Sequence, residues 1–323
     1  MRTLVLGGTS FVGRAIVEDL LSRGDEVTLF SRGRTGSELF PTVERLTGDR
    51  DTGQYAALAG RSWDAVVDVS GYVPRHVREA ADALGNRVGR SLFISTVSVY
   101  DLTRAQDGLT EDAPRLPSVR GTEEITVDTY GPLKVACEDD VLARYGQHAT
   151  IVRPGIVAGP WDPTDRFTMW VRRAARGGRV ALPARADQPV QVIDSRDLAR
   201  LVSSLLVDDR PGTYNAVGPV EPTTLAGLVQ VCAAAAGTSV EVVPVAGDAD
   251  AGPPLPLVLT DPTEDALFRR SAARARAVGL PATPLTTTAA DVLAWDRSRG
   301  LPPLAVALSP EREAALLGAV SSG

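Results

Sequence analysis

Along the first half of the chain, short and nearly continuous apolar runs alternate with stretches of helical spacing. Residues 3–6, 26–30, 43–47, 65–69, 91–95 and 150–152 read as strands, and unbroken apolarity is expected of parallel strands covered on both faces. Between them, 11–21, 76–84 and 132–145 carry helical periods, with Gly24 and Gly146 as plausible C-terminal stops. Repeated β–α units of this kind predict an α/β fold, a doubly wound parallel sheet with right-handed crossovers.

Two segments break the rhythm. Residues 101–129 are polar, contain proline and are too long for an ordinary connection. Beyond Arg153, the stretch from Gly159 to Arg166 reads as a loop entering a helix. Further helices are expected over 195–207, 225–236, 286–295 and 310–320, and short strands over 190–193, 213–216 and 240–245. The expected organisation is a nucleotide-binding domain over 1–159, to which 190–218 returns, and a smaller, partly interleaved substrate domain over 160–323.

Composition narrows the function. The 40 acidic against 34 basic residues give a net charge of −6, which argues against nucleic acid or an anionic membrane as partner. Cys137 and Cys232 lie far apart in apolar stretches and read as buried thiols. His76 and His148 have no metal-ligand spacing, so no metal is expected. No apolar run approaches the ~18 residues of a membrane span, and the first residues enter a strand instead of a leader pattern. The expectation is a soluble cytoplasmic protein acting on a small molecule. Of the 34 basic residues, Lys134 alone is lysine.

The chemistry begins at Gly7-Gly8-Thr9-Ser10-Phe11-Val12-Gly13, between the first strand and the first helix. Gly7 permits a tight turn, Gly13 permits close helix–sheet packing, and the helix N-terminus offers N–H groups to a pyrophosphate. Such a turn marks a dinucleotide-binding, Rossmann-type fold, although Ser10 replaces the middle glycine of the usual three. At the end of the second strand, Ser31, Arg32 and Arg34 stand where an NAD site carries a carboxylate for the ribose 2′-hydroxyl. A hydroxyl and two guanidinium groups suit a 2′-phosphate, so NADP is favoured and NAD is the alternative. Asp49 is a candidate partner of the adenine amino group, or simply a turn residue.

The lone lysine belongs to Tyr130-Gly131-Pro132-Leu133-Lys134, read as a helix start with Pro132 in its first turn. The i, i+4 spacing places Tyr130 and Lys134 on one face. A phenol titrates near pH 10, and a neighbouring ammonium moves it toward a useful range for acid–base work. The strand ending Ser95-Thr96-Val97-Ser98 supplies a hydroxyl at the crevice where open α/β sheets bind ligands. Thr96 is the candidate to polarise a carbonyl beside Tyr130, with Ser95 and Ser98 as neighbours.

With these residues, the chain resembles an extended short-chain dehydrogenase/reductase of the NAD-dependent epimerase/dehydratase group, in its atypical branch. The resemblance extends to Ile151-Val152-Arg153-Pro154-Gly155, to 192–199 and to 212–218. It implies Tyr130 as acid/base, Lys134 orienting cofactor and tyrosine, and Thr96 assisting. It implies nicotinamide contacts at Pro154 and Ile156 and a cofactor border along 68–71, which includes Val69 and Ser70. It also implies substrate contacts at Ser98, Trp161, Arg166, Trp170 and Gln191, and a monomer or a homodimer formed through 76–84 and 132–145. The expected reaction is hydride transfer between NADP(H) and a carbonyl or alcohol carbon. The alternatives are a nucleotide-sugar epimerase or dehydratase with tightly bound NAD, and a cofactor-sensing or RNA-associated protein on the same fold.

Overall fold

The computed structural model describes residues 1–104, 109–245, 255–259 and 261–321. In chain order the elements are β1 (Arg2–Leu6), α1 (Phe11–Ser22), β2 (Glu26–Ser31), β3 (Glu44–Thr47), β4 (Trp63–Asp68), α2 (Pro74–Leu84), β5 (Val88–Ile94), α3 (Val127–Tyr145), β6 (Ala149–Pro154), β7 (Ile156–Ala158), α4 (Arg166–Ala174) and β8 (Gly178–Leu182). They continue with β9 (Pro189–Val190), β10 (Val192–Asp194), α5 (Ser195–Val207), β11 (Gly212–Ala216), β12 (Thr223–Thr224), α6 (Leu225–Ala235), β13 (Val240–Pro244), α7 (Ala273–Ala277), α8 (Leu285–Ser298) and α9 (Pro310–Ser321). Two compact units result. The first takes residues 1–155, 195–217 and 270–281, and the second takes 156–194, 218–269 and 282–323.

The first unit is built on a seven-stranded sheet in the order β11-β6-β5-β4-β1-β2-β3, with every pairing parallel. β1 is buried along Thr3–Leu6 because both sheet faces are covered, α1 packing on α5 and α2 on α3. Leu4, Leu6, Phe30 and Val66 meet Ala80 and Leu84 of α2, while Phe93 and Ile151 meet Cys137 and Val141 of α3. Strand order reverses between β1 and β4, so the loops after these two strands flank the crevice in which such sheets bind ligands. The expected α/β doubly wound architecture is what the chain adopts.

Three local expectations change. The helix expected to start at Pro132 starts at Val127, because Thr126 and Thr129 form a reciprocal capping box. Pro132 therefore lies in the second turn, and Gly131 before it has no Cβ to collide with the ring. The strand expected over 190–193 divides at Gln191, since Pro189–Val190 pairs antiparallel with β12 and Val192–Asp194 pairs parallel with β7. The chain also re-enters the first unit over 270–281, a return not foreseen, while 190–194 stays with the second. That second unit encloses its own apolar core, with Trp170, Phe167, Leu228, Cys232 and Val292 among its buried members.

Candidate active site

The turn after β1 is set by close backbone approach. Gly7 has φ +93, and a Cβ there would lie 2.7 Å from Ser70 Cβ. A Cβ at Gly13 would lie 2.0 Å from the Gly7 carbonyl oxygen, so α1 begins pressed against the turn. Ser10 is the helix N-cap but is exposed and makes no side-chain cap bond. The first intrahelical bond runs from Arg14 N–H to Ser10 O, leaving the N–H groups of Phe11, Val12 and Gly13 without helical acceptors. With Thr9, half-buried beside them, these groups form a ready anion site.

At the end of β2, Ser31 Oγ accepts from the Gly33 N–H at 3.2 Å. Arg32 and Arg34 are exposed and reach Asp51 at 3.4 Å and Asp49 at 3.5 Å. Asp49 also accepts from the Asp51 N–H, capping a short 3-10 turn. Exposed pairs this long contribute little and leave both guanidinium groups available to a stronger anion.

Arg50 behaves differently from its neighbours. It turns inward and forms a bidentate pair with Asp68 at the end of β4, at 2.7 and 2.8 Å, with both residues buried. Burial alone would raise the Asp68 carboxyl, but the Arg50 guanidinium and the Lys134 charge outweigh it and hold it below the usual range. Ser70, expected among the cofactor contacts, donates to Leu6 O and accepts from Arg50, so its hydroxyl is already engaged. Val69 donates its N–H to Leu6 O and is half-buried.

Lys134 is 2% exposed. Its Nζ donates to Gly71 O at 2.8 Å and to Ile94 O at 2.7 Å, across the ends of β4 and β5, and stands 4.0 Å over the Phe93 ring. An ammonium has three protons, so one remains beyond these two bonds. Burial lowers its pKa to about 8, and the Asp68 carboxylate opposes that shift. Tyr130 lies one helical turn earlier on α3 and is half-buried. Thr96 caps the turn after β5, accepts from the Ser98 N–H at 3.1 Å and donates to Ser98 Oγ at 3.2 Å. Ser95 Oγ is buried and has no hydrogen-bond partner among the described residues. Pro154 ends β6 in this unit, and Ile156 opens β7 in the second.

The remaining substrate candidates lie in the second unit. Trp161 is 47% exposed, holds left-handed φ +72 and meets Trp295 edge-on at 5.8 Å. Arg166 opens α4 and donates to Thr164 Oγ1 at 3.1 Å, and Gln191 is half-buried between β9 and β10. Trp170 must be corrected. It is wholly enclosed in the core and its indole N–H donates to Pro256 O at 2.8 Å, so it is a packing residue and not a ligand contact.

Two buried charge clusters are not apparent from the sequence. One is Arg50–Asp68, for which the triplet Asp49-Arg50-Asp51 at a strand end was the available signal. The other joins Arg153 to Glu138 at 2.7 and 2.9 Å and to Tyr100 Oη at 2.9 Å. Arg115 reaches Glu138 of α3 at 3.0 Å, so residues 109–126 are held against that helix and are not a free loop. No group of three or more potential metal ligands occurs among the described residues, nor any helix long and apolar enough to cross a membrane.

The model of the NAD dependent epimerase/dehydratase family matches residues 3–216. The chain belongs to that family. Among its curated relatives, the chain is 26% identical over 256 residues to the chloroplast stem-loop binding protein of 41 kDa b of Arabidopsis thaliana, covering 73% of this chain and 63% of that one. It is 25% identical over 262 residues to the 2-alkyl-3-oxoalkanoate reductase of Shewanella oneidensis, covering 72% and 65%. The chain thus spans under two thirds of each relative's length. The fold is similar to that of the UDP-glucuronic acid 4-epimerase of Bacillus cereus in complex with NAD, with TM-score 0.70, 14% identity and coverage of 92% of this chain and 99% of that one. For a member of the epimerase/dehydratase family, the crevice residues fit a dinucleotide. Gly7, Gly8 and Gly13 leave no space for a side chain, the Ser95 hydroxyl lacks a partner among the described residues, and Lys134 retains a proton beyond its two carbonyls.

Proposed function

We propose that the protein is an NADP(H)-dependent oxidoreductase acting on a carbonyl or alcohol carbon of a small molecule, with Tyr130 as acid/base. The observation that carries the reading is the buried Lys134 ammonium one helical turn after Tyr130, pinned to the carboxyl ends of β4 and β5. The nicotinamide, when bound, supplies or accepts the hydride. Tyr130 gives its phenolic proton to the carbonyl oxygen during reduction and takes it back from the hydroxyl during oxidation. Lys134 stabilises the intervening phenolate by its charge. Thr96 donates to the same oxygen, exchanging its bond to Ser98 for one to substrate. The Gly7–Gly13 turn and the N–H groups of residues 11–13 hold the pyrophosphate, and Ser95 meets the ribose.

Ser31, Arg32 and Arg34 support NADP over NAD. The carboxylates paired with them, Asp51 and Asp49, hold Arg32 and Arg34 only loosely, so both guanidinium groups can turn to a 2′-phosphate. The reductase name of the Shewanella oneidensis relative agrees with net reduction. Calorimetric titration tests the choice. NADPH should bind at least about tenfold tighter than NADH, and the double variant Arg32→Ser/Arg34→Ser should erase the difference. Equal affinities in the unaltered protein refute NADP, and tightly retained NAD points to an epimerase instead. Tyr130→Phe should keep NADPH affinity and abolish reduction across a panel of carbonyl compounds; surviving turnover removes Tyr130 from its role.

A further inference from the structure

The pairing of β1 with β4 ends at Leu6 and Asp68. One more bond follows, from the Val69 N–H to Leu6 O at 3.0 Å. The next two residues leave the sheet, yet they touch both ends of the crevice. The Ser70 side chain lies where a Cβ on Gly7 would be, against the pyrophosphate turn, and Gly71 offers its carbonyl to Lys134.

What holds these two residues is the buried Arg50–Asp68 pair. Asp68 Oδ1 accepts from the Ser70 N–H at 3.0 Å, and Arg50 Nη1 donates to Ser70 Oγ at 2.9 Å. Ser70 Oγ donates its own proton to Leu6 O at 3.1 Å. Arg50 Nη2 adds a bond to His76 O at 2.9 Å, tying the start of α2 to the same point. Arg75 fixes the Arg50 backbone from outside through Arg50 O at 3.0 Å. A buried ion pair stabilises a fold little more than packed apolar residues of equal volume, so its main effect is geometric.

We propose that the Arg50–Asp68 pair is a positioning element that sets the spacing between the Gly7 turn and the Lys134 ammonium, and thereby the share of dinucleotide affinity contributed by the nicotinamide half. The inference rests on the dinucleotide reading above. Arg50 and Asp68 are buried and act through Ser70, which both bond, and Gly71, against which Asp68 packs.

The test compares two ligands by calorimetry on the full chain: NADPH, and 2′,5′-ADP, which lacks the nicotinamide mononucleotide half. Their affinity ratio measures what the nicotinamide half adds. Asp68→Asn should lower that ratio by about tenfold or more, since small displacements of positioning groups have effects of this size. Arg50→Met/Asp68→Leu removes both charges together, keeps the buried volume filled, and should lower the ratio likewise even where Asp68→Asn fails to fold. Loss of affinity for both ligands in equal proportion, or a ratio within about twofold of the parent in the double variant, overturns the inference and leaves the dinucleotide reading standing. An unaltered protein that binds neither ligand overturns the NADP(H) reading, and the inference with it.

Discussion

Replacing Lys134 by methionine removes a buried charge while roughly keeping its shape, and the effect on stability has a definite sign. The ammonium falls from its ordinary 10.5 to about 8 on folding because burial disfavours the charged form. Between those two values the unfolded chain binds the extra proton and the folded chain does not, so stability rises with pH across that window. Below pH 8 the full penalty applies, about 3 kcal/mol from the difference of the two values at 1.36 kcal/mol each, and above pH 10.5 it is gone. Lys134→Met has no such term. It leaves Gly71 O and Ile94 O without their donor, a loss that does not depend on pH. The buried Cys137 thiol, pushed up to about 12 by burial, stays protonated up to pH 10 in both folded proteins and adds nothing to the comparison. Urea unfolding of both proteins at pH 7, 8, 9 and 10, without nucleotide, should show the unaltered protein gaining about 2.5 kcal/mol on the variant from pH 7 to pH 10. A difference that stays flat or falls with pH would refute the claim that the ammonium is buried at a cost. NADPH affinity should also drop in the variant at neutral pH.

Two further substitutions separate packing from chemistry. Gly131→Ala puts a Cβ 2.3 Å from Ser98 O and 2.9 Å from Leu116 Cδ1, and the backbone carbonyl cannot yield. It should lower stability by about 1–3 kcal/mol in thermal unfolding and weaken NADPH binding by moving α3 away from the Thr96 turn. Trp170→Ala empties the centre of the second core and should cost about 3–5 kcal/mol in urea unfolding without altering NADPH affinity. Full stability in that variant would return Trp170 to the substrate contacts.

The inner strands of the large sheet were legible because β1, β2, β4 and β6 each bury four or more consecutive residues, whereas β3 at the edge buries only Leu46. Trp170 was misread although its own helix carried the answer. Phe167, Trp170, Val171 and Ala174 repeat at i, i+3, i+4 and i+7, the stripe a helix turns to a core. Pro132 drew the expected start of α3 too late, because a proline inside a helix is costly in isolation. The capping box at Thr126 and Thr129 sets the boundary instead, and its two threonines at i, i+3 were the signal for it. Arg50–Asp68 was illegible for another reason: its members are 18 residues apart, and each alone resembles a polar strand end. The same pair explains why composition singled out Lys134. Burying Arg50 takes four bonds, to both Asp68 oxygens, to Ser70 Oγ and to His76 O, and its Nε still lacks a partner among the described residues. A guanidinium at position 134 would need as many acceptors from two strand ends that offer two carbonyls. An ammonium is held by those two and keeps one proton for a ligand, so a chain with arginine at 33 of its 34 basic positions has lysine there.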